Sequence, residues 1–175
     1  YIAPYAERLK WISNFSGSAG KAVIKQTTAT IFVDGRYTVQ AHEEVDINSF
    51  SIEHINNFSD WLKNNLKNKF SVGLDPHLHS KEDVELIEKI IREVDAEIKF
   101  LDNNPIDQLW ENQPLKPISK AFQHPLQYSG ISVEKKILQI QFIIKSNQCD
   151  YYILTALDSI AWLLNLRGND VQFTP

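Results

Sequence analysis

Apolar and polar positions in the first part of the chain switch between helical and extended spacings. Between residues 6 and 15 the apolar residues recur every three or four positions, which predicts a short helix that ends at the loop Gly17 to Gly20. Two runs rich in β-branched residues follow, at 22–24 and 30–33, and predict a hairpin. The pattern then predicts a helix over 36–45, a strand over 50–55, and a helix from Trp61 towards Asn68 capped by Ser59 or Asp60.

The helical signal is stronger after residue 71. A strand is predicted at 72–74, and Ser80 with Asp83 has the spacing of a capping box. The helix that this box opens has apolar residues three and four positions apart, at Val84, Ile87, Ile91 and Val94. Another strand is predicted at 97–101, whereas 102–127 holds four of the seven prolines and no sustained period. That segment is therefore interpreted as an irregular connector.

The last part of the chain repeats the alternation of helix and strand. Ser132 is placed to cap a helix with Val133, Ile137, Ile140 and Ile144 on one face. A strand over 151–154, a helix over 157–164 and a further strand over 171–173 are predicted after it. These elements span only about 45 residues, which is too few for a core of their own, so they must pack on the first unit or belong to a larger second domain.

Together these elements predict an α/β fold, with a mixed β-sheet flanked by helices. The predicted organisation is an α/β domain over 1–104, a connector over 105–130, and the truncated beginning of a second, similar domain over 131–175.

Composition narrows the classes of protein to which the chain can belong. With 175 residues, 43% hydrophobic and 23% charged, it has the composition of a folded globular protein. The 18 basic and 22 acidic residues give a net charge of −4 with no basic block, which argues against binding nucleic acid or an anionic membrane. No apolar run reaches the roughly 18 residues of a membrane span, and no signal peptide is visible. The absence of Met indicates a fragment or a trimmed form.

The single cysteine, Cys149, cannot form an internal disulfide, which favours a reducing compartment and hence the cytoplasm. It is a poor candidate for a nucleophile because the neighbouring Asp150 disfavours its thiolate. The best candidate for a metal site is Asp75, His77 and His79, but a dependable zinc or copper site needs three or four convergent ligands. The alternative is that this segment is a turn before a helix.

Two segments have the composition of a binding site. Residues 15–20, Phe-Ser-Gly-Ser-Ala-Gly, place small residues between a helix and a strand, where backbone can approach closely. Asp34-Gly35-Arg36-Tyr37 follows a strand directly, and ligand crevices form at the carboxyl ends of strands in open α/β sheets. Arg36 is suited to bind a carboxylate or carbonyl, with the Tyr37 ring as a wall. Alternatively, Asp34 and Arg36 brace the turn while Tyr37 packs in the core.

Several short sequence motifs, in the same order along the chain, match a known family. They are Tyr1-Ile2-Ala3-Pro4, Glu7-Arg8, Trp11-Ile12, residues 15–20, Asp34-Gly35-Arg36-Tyr37, Gly73-Leu74-Asp75-Pro76, Trp110, and the block from Thr155 to Asp170. In these motifs the chain resembles the N-terminal, non-catalytic part of the long Xaa-Pro aminopeptidases (aminopeptidase P). The resemblance covers essentially the whole length of this chain.

The resemblance implies a three-domain parent enzyme. Two related domains of the creatinase/prolidase N-terminal type, with a ribonuclease H-like motif, would precede a catalytic pita-bread domain. That last domain would hold two divalent metals, typically manganese, through two Asp, one His and two Glu, and would cleave the bond between an N-terminal residue and a following proline. None of these ligands can be placed on this chain, and the strand that precedes the Tyr1 segment in the family is missing too. The fragment alone is therefore expected to be inactive.

The resemblance also implies partners for the parent and a role for this part of it. Proline-containing peptides would be the substrates and a homodimer the assembly, while this part would narrow the entrance. Arg36 and Tyr37, with Phe15 behind them, are the predicted substrate contacts. The alternatives are a protein-binding module of a catalytically dead relative, such as a histone-chaperone subunit, and a creatinase, which the Gly-Ser-Ala-Gly and Asp-Gly-Arg-Tyr words fit less well.

Overall fold

The structure, a computed structural model, describes residues 2–67 and 69–173. Its internal contacts divide the chain into two units, one formed by residues 7–113 and the other by residues 2–6 with 114–173. Almost all of the buried apolar side chains of the described residues lie in the first unit; Ala3 and Ala161 are the exceptions.

The first unit alternates helices with short strands. In chain order it contains α1 (Arg8–Ser13), β1 (Gly20–Ile24), β2 (Ala29–Val33), α2 (Thr38–Glu44), β3 (Phe50–His54), α3 (Phe58–Asn65), β4 (Ser71–Leu74), α4 (Lys81–Glu93), β5 (Glu97–Phe100) and α5 (Pro105–Leu109). Short 3₁₀ turns, Gly35–Tyr37 and Ile55–Asn57, precede α2 and α3.

The strands of this unit form two sheets. In the first, β1 pairs with β2 as an antiparallel hairpin, with Gly20 opposite Val33, and β2 pairs with β3 in parallel, with Ala29 opposite Phe50. In the second sheet β4 and β5 are parallel. The predicted hairpin and the predicted class, a mixed α/β fold with sheets flanked by helices, are confirmed.

Strand β2 lies between two apolar clusters. Its residues Ile31, Phe32 and Val33 are all buried, as expected for a central strand covered on both faces. Because side chains alternate along a strand, Phe32 points to the cluster formed with α3, β4 and α4, whereas Ile31 and Val33 point to the cluster around Phe15 and α2. The Phe32 ring meets Phe58 edge-on at 5.2 Å between centroids.

Helix α4 begins as the capping box predicts. The Ser80 hydroxyl accepts the Asp83 backbone N–H at 3.1 Å, and its own proton goes to the Asp83 carboxylate at 2.8 Å. The periodic face packs inward through Ile87, Ile90 and Ile91. Local capping and amphipathic spacing therefore agree, which is why the sequence predicts this helix well.

The second unit contains β6 (Phe122–Gln123), α6 (Leu126–Ser129), α7 (Val133–Ser146), α8 (Leu157–Leu164) and β7 (Leu166–Arg167), with β6 and β7 antiparallel. The Ser132 hydroxyl caps α7, as predicted. The side chain of Lys136 is buried, and its ammonium donates to the Trp162 carbonyl at 2.6 Å and to Asn165 Oδ1 at 2.7 Å. These bonds join α7 to the C-terminal end of α8.

Three predicted elements differ in the structure. Helix α3 begins at Phe58, so Ser59 and Asp60 lie inside it rather than capping it, and Asn57 at the cap makes no side-chain hydrogen bond. The predicted end of that helix, Asn68, lies outside the described residues. The segments 151–154 and 171–173 are not strands, because neither has a partner strand among the residues that the structure describes.

The predicted irregular connector holds three short elements: α5, β6 and α6. Helix α5 starts with Pro105 at its first position and with the Asn104 side chain accepting the Ile106 N–H at 2.9 Å. Proline favours the first turn of a helix, so this Asn-Pro pair marks the start of a helix rather than an interruption of regular structure. Among the described residues, no helix combines the length and the apolar character needed to cross a membrane.

Candidate functional site

The candidate site lies where β2 and β3 end. Because these strands are parallel, their carboxyl ends open at the same edge of the sheet, and Val33 is in register with His54. Asp34 follows β2 and caps the turn Gly35–Tyr37 by accepting the Arg36 backbone N–H at 2.9 Å. The His54 ring lies beside Gly35, 3.5 Å from where a β-carbon on Gly35 would stand. The turn therefore presents Arg36 at the strand ends, as the sequence predicts.

Arg36 finds its carboxylate partner within the same turn. Its Nε lies 3.1 Å from both oxygens of Asp34, and its Nη2 lies 2.5 Å from Oδ2. This hydrogen-bonded pair lowers the pKa of Asp34 and raises the pKa of Arg36, so both stay charged. The Arg36 side chain is nevertheless 71% exposed. One edge of its guanidinium is therefore bound to Asp34, while much of the side chain remains accessible to solvent.

Tyr37 links the turn to the small-residue loop. Its hydroxyl lies 2.6 Å from the Ser18 hydroxyl, and this hydrogen bond is the main reason that the pKa of Tyr37 is lowered. The Tyr37 ring meets the buried Phe15 ring edge-on at 5.7 Å, and the Arg36 guanidinium lies 5.2 Å from the Tyr37 centroid. The contacts are those of the bracing alternative: Asp34 and Arg36 brace the turn, while Tyr37 packs on the core and keeps a polar tip outside. Binding of a ligand by Arg36 stays a prediction.

The loop that carries Ser18 is tied to α2 by Glu44. One carboxylate oxygen accepts the Ser16 backbone N–H at 2.7 Å, and the other accepts the Ser16 hydroxyl at 2.7 Å. The Gln40 amide donates to the same carboxylate at 3.0 Å. The backbone N–H of Ser16, followed by its hydroxyl and the Gln40 amide, lowers the pKa of Glu44. Asn14, in the left-handed conformation with φ 62°, ends α1 and donates to the Glu44 carbonyl at 2.9 Å.

The structure therefore brings Phe15, Arg36 and Tyr37 together, with different exposures. Phe15 is buried and supports Tyr37 from behind, whereas the Arg36 guanidinium and the Tyr37 hydroxyl reach the surface. Sequence reasoning singled out the loop that contains Ser18 but not the hydrogen bond of Ser18 to Tyr37, and it missed Glu44. The four-residue spacing of Gln40 and Glu44 on one helix face was a weak signal, but nothing local connects that face to Ser16, 28 positions earlier.

The candidate metal ligands at 75–79 are engaged with one another. The Asp75 carboxylate accepts the His77 backbone N–H at 2.9 Å and the Asn104 amide at 2.8 Å. The Nδ1 atom of His79 lies 2.8 Å from the Asp75 backbone carbonyl, so that imidazole is held by main chain. Within the described ranges no three His, Cys, Asp or Glu side chains converge as metal ligands. The donor set of these residues thus does not fit a dinuclear metal centre, and the interpretation of 75–79 as a turn agrees with the geometry.

Cys149 is exposed, and its thiol lies 3.4 Å from the Asn147 carbonyl. It lines a shallow depression of α7 whose other described lining residues include Lys145 and Asp150 and no histidine. This setting gives the thiol no general base, so a role as a nucleophile has no structural support.

Nearly the whole chain is similar to known proteins of one family. Residues 1–108 and 112–175 each match a family model described as the creatinase/prolidase N-terminal domain. The probable Xaa-Pro aminopeptidase P of Paracoccidioides lutzii is 34% identical over 180 residues, and the Xaa-Pro aminopeptidase ApepP of Drosophila melanogaster is 35% identical; each alignment covers 100% of this chain and 29% of the relative. The chain therefore spans less than a third of these relatives.

A solved structure is similar over nearly the same extent. The X-prolyl aminopeptidase of Caenorhabditis elegans, described as a cytosolic enzyme with a di-nuclear active site, superposes with a TM-score of 0.80 and 28% identity. The superposition covers 98% of this chain and 29% of that structure.

Proposed function

Because the chain belongs to the creatinase/prolidase N-terminal domain family, we propose that it is the N-terminal, non-catalytic part of a metal-dependent Xaa-Pro aminopeptidase. The observation that carries this proposal is full-length similarity to aminopeptidases of which the chain covers 29%. The proposed non-catalytic role fits the coverage, since the chain corresponds to only 29% of the worm relative that is described as having a di-nuclear active site. Two divalent metals, manganese in our proposal, would be held by polypeptide outside this chain.

The proposed task of this part is to shape substrate access, with Arg36 and Tyr37 as the contacting residues. A peptide with proline in second place lacks one backbone N–H and has a restricted residue before the proline, so recognition must use its remaining carbonyls and its ends. Asp34 occupies Nε and Nη2 of Arg36, and the Nη1 protons are the donors suited to a peptide carbonyl or carboxylate. Asp34 holds the guanidinium in one orientation, which lowers the entropy cost of that contact.

The proposal extends to assembly and location. The parent is proposed to form a homodimer. It is also proposed to work in the cytosol, because the worm relative is described as a cytosolic enzyme. The single cysteine of this chain fits a reducing compartment.

The first experiment tests Arg36 in the parent protein. We expect Arg36→Ala to lower kcat/KM on Xaa-Pro peptides about tenfold or more, the loss of one charge-assisted hydrogen bond of roughly 1.5 kcal/mol. Arg36→Lys should recover only part of this, because an ammonium lacks the planar fork. The matched control is Arg92→Ala, which removes an exposed arginine paired with Glu88 on α4. An Arg36→Ala enzyme as active as the Arg92→Ala enzyme would remove Arg36 from the site.

The second experiment separates the enzyme from a binding module. With added manganese, the parent should hydrolyse a tripeptide with proline second, while residues 1–175 alone should leave it intact. Hydrolysis by the isolated chain would refute the non-catalytic role. A parent that takes up no metal and cleaves nothing would instead support the protein-binding module.

A further inference from the structure

Loop 15–20, which carries the Ser18 hydroxyl, has little rigidity of its own. Its residues are small apart from Phe15, and two of them are glycines, which lose the most conformational freedom when they are ordered. Ser16 and Ser18 are exposed. Within the part of the chain that the structure describes, no backbone-to-backbone hydrogen bond involves residues 16–18. The position of Ser18 must therefore be set by side-chain contacts of the loop.

Glu44 of α2 holds this loop at Ser16. The two carboxylate oxygens of Glu44 accept the backbone N–H and the hydroxyl of Ser16, each at 2.7 Å. Gln40, one turn earlier on the helix, donates to the Ser16 hydroxyl oxygen at 2.9 Å and to Glu44 at 3.0 Å. Hydrogen bonds to an ionised carboxylate are roughly twice as strong as neutral ones. Helix α2 is itself fixed, because Ala41 and Val45 are buried in an apolar cluster.

The support at Ser16 reaches Ser18 through a short, packed stretch of backbone. Gly17 lies between the two serines, and its backbone packs against the Phe15 ring. Ser18 therefore follows residues that are held in place, and its hydroxyl lies 2.6 Å from the Tyr37 hydroxyl. The Phe15 ring also supports the Tyr37 ring, at 5.7 Å between centroids. The position of Ser16 thus bears on the orientation of the Tyr37 hydroxyl.

A fixed partner matters to a hydroxyl because the hydroxyl proton can rotate. When Ser18 donates to Tyr37, the phenolic proton is available to donate to a peptide carbonyl; when Tyr37 donates, its lone pairs face the peptide instead. A Ser18 that is held in one place restricts Tyr37 to these two arrangements. Rotational freedom that is lost before the peptide arrives does not have to be lost on binding.

We infer that Glu44 is a positioning residue of the candidate site: by holding Ser16 it orders loop 15–20, and the ordered loop fixes the Tyr37 hydroxyl for contact with the peptide. Only the contact with the peptide rests on the proposed function, because the order of the loop is a property of this chain. Glu44 itself would touch no substrate, so a substitution of Glu44 should act through Tyr37.

Titration of Tyr37 in the 175-residue chain tests the positioning without an assay of activity. The chain has six tyrosines, so the tyrosinate absorbance of the matching Tyr37→Phe variant is subtracted to isolate Tyr37. The hydrogen bond to Ser18 lowers the pKa of Tyr37 below its ordinary value of 10.0. In Glu44→Ala we expect this pKa to rise toward 10.0, because a Ser18 that is no longer held stabilises the phenolate less.

The direction of this change separates positioning from a direct effect of charge. Loss of the negative charge of Glu44 would by itself favour the phenolate and lower the pKa of Tyr37. The charges beside the ring, Arg36 and Asp34, are the same in both proteins. A Tyr37 pKa that is unchanged or lower in Glu44→Ala would overturn the inference.

Two further variants complete the titration. Glu44→Gln keeps one carbonyl acceptor, so its Tyr37 pKa should lie between those of wild type and Glu44→Ala. Glu43→Ala, at the exposed neighbouring position, is the matched control and should leave the pKa of Tyr37 unchanged. Circular dichroism confirms that each variant is folded. If Glu44→Ala does not fold, the comparison of Glu44→Gln with wild type provides the same test.

Kinetics of the parent protein show whether the positioning affects catalysis. Glu44→Ala should lower kcat/KM on Xaa-Pro peptides about fivefold, and it should cause no further loss in a Tyr37→Phe background, because it acts through that hydroxyl. An equal loss in both backgrounds would refute the inference. If Tyr37→Phe leaves kcat/KM unchanged while Glu44→Ala still raises the pKa of Tyr37, the positioning stands and the proposed substrate contact fails.

Discussion

Gly17 lies against the ring of Phe15 and shows how a single residue shapes the candidate site. A β-carbon on Gly17 would stand 2.2 Å from Cζ of that ring, and the ring is fully buried. The same ring supports Tyr37, whose hydroxyl holds Ser18. The small residues of the loop are therefore needed for a close backbone approach that positions the tyrosine.

Gly17→Ala should destabilise the chain by about 1 to 3 kcal/mol, because the methyl group must displace a packed ring. Urea unfolding of the purified chain measures the free energy of unfolding directly. The matched control is Gly35→Ala, where the new β-carbon would stand at an ordinary contact distance of 3.5 Å from His54. Equal free energies of unfolding of Gly17→Ala and Gly35→Ala would show that the Phe15 ring is not held in place.

Acid should weaken the tie between the loop and α2. The pKa of Glu44 is lower in the folded chain than its ordinary value of 4.5, because Ser16 and Gln40 donate to its carboxylate. The stability that this provides is fully present above the unfolded-state value and is lost as the pH falls through the folded-state value. We therefore expect the difference in urea midpoint between wild type and Glu44→Gln to shrink as the pH falls below 4.5. Glu43→Gln, at the exposed neighbour, is the control, and a pH-independent difference for Glu44→Gln would contradict the assignment.

At the scale of elements, helices whose ends are fixed by their own sequence are the ones that match prediction. Helix α4 has the Ser80 capping box and α7 the Ser132 cap, and both begin where their caps predict. Helix α3 has no side-chain cap and begins before its predicted start. Its start is set by packing, since Phe58 is buried against Phe32.

Ser80→Ala should therefore cost about 1 kcal/mol of unfolding free energy, the usual contribution of an N-cap. Ser59→Ala is a matched control because that serine, although predicted as a cap, lies inside α3 and should be nearly neutral. Thermal and urea unfolding of the two variants compare them directly. A larger loss for Ser59→Ala than for Ser80→Ala would reverse the assignment of caps.

At the scale of the whole molecule, the two units differ in how their cores are built. Residues 7–113 enclose both described clusters of buried side chains, whereas the second unit relies on hydrogen bonds such as those of Lys136. Where the chain leaves the first unit, residues 114–121 of the second unit have no regular secondary structure, and Leu115 is almost fully exposed. Exposed segments without secondary structure are the preferred sites of proteolytic cleavage.

Limited chymotrypsin digestion of the chain should cut first in the exposed segments without secondary structure, after Leu115, Tyr151 or Tyr152, and cleavage after the buried Leu62 and Phe32 should come only on unfolding. Mass spectrometry of early time points identifies the cuts. The fragment 1–115 should persist longer than the remainder, since it contains the two buried clusters. Early loss of that fragment would show that residues 7–113 are not the stable unit.

The local sequence pattern is sufficient to predict the elements that are stabilised mainly by residues near them along the chain. The hairpin of β1 and β2 and the helices α4, α7 and α8 were predicted from turn residues, caps and apolar spacing. The extended pattern at 30–33 also places Arg36 and Tyr37 just after a strand, where the structure has them. Whether these two residues contact a substrate stays a prediction.

Only the tertiary structure decided the features that join distant parts of the chain. The carboxylate of Glu44 meets Ser16, the start of α3 follows from the contact between Phe58 and Phe32, and the buried partner of Lys136 is Asn165. Residues 151–154 show the limit most clearly, because their sequence favours a strand and yet a strand requires a partner. The sequence of a segment determines its preference for helix or strand. Pairing and burial determine whether the segment adopts that structure, because the free energies of pairing and burial come from contacts with residues far away in the chain.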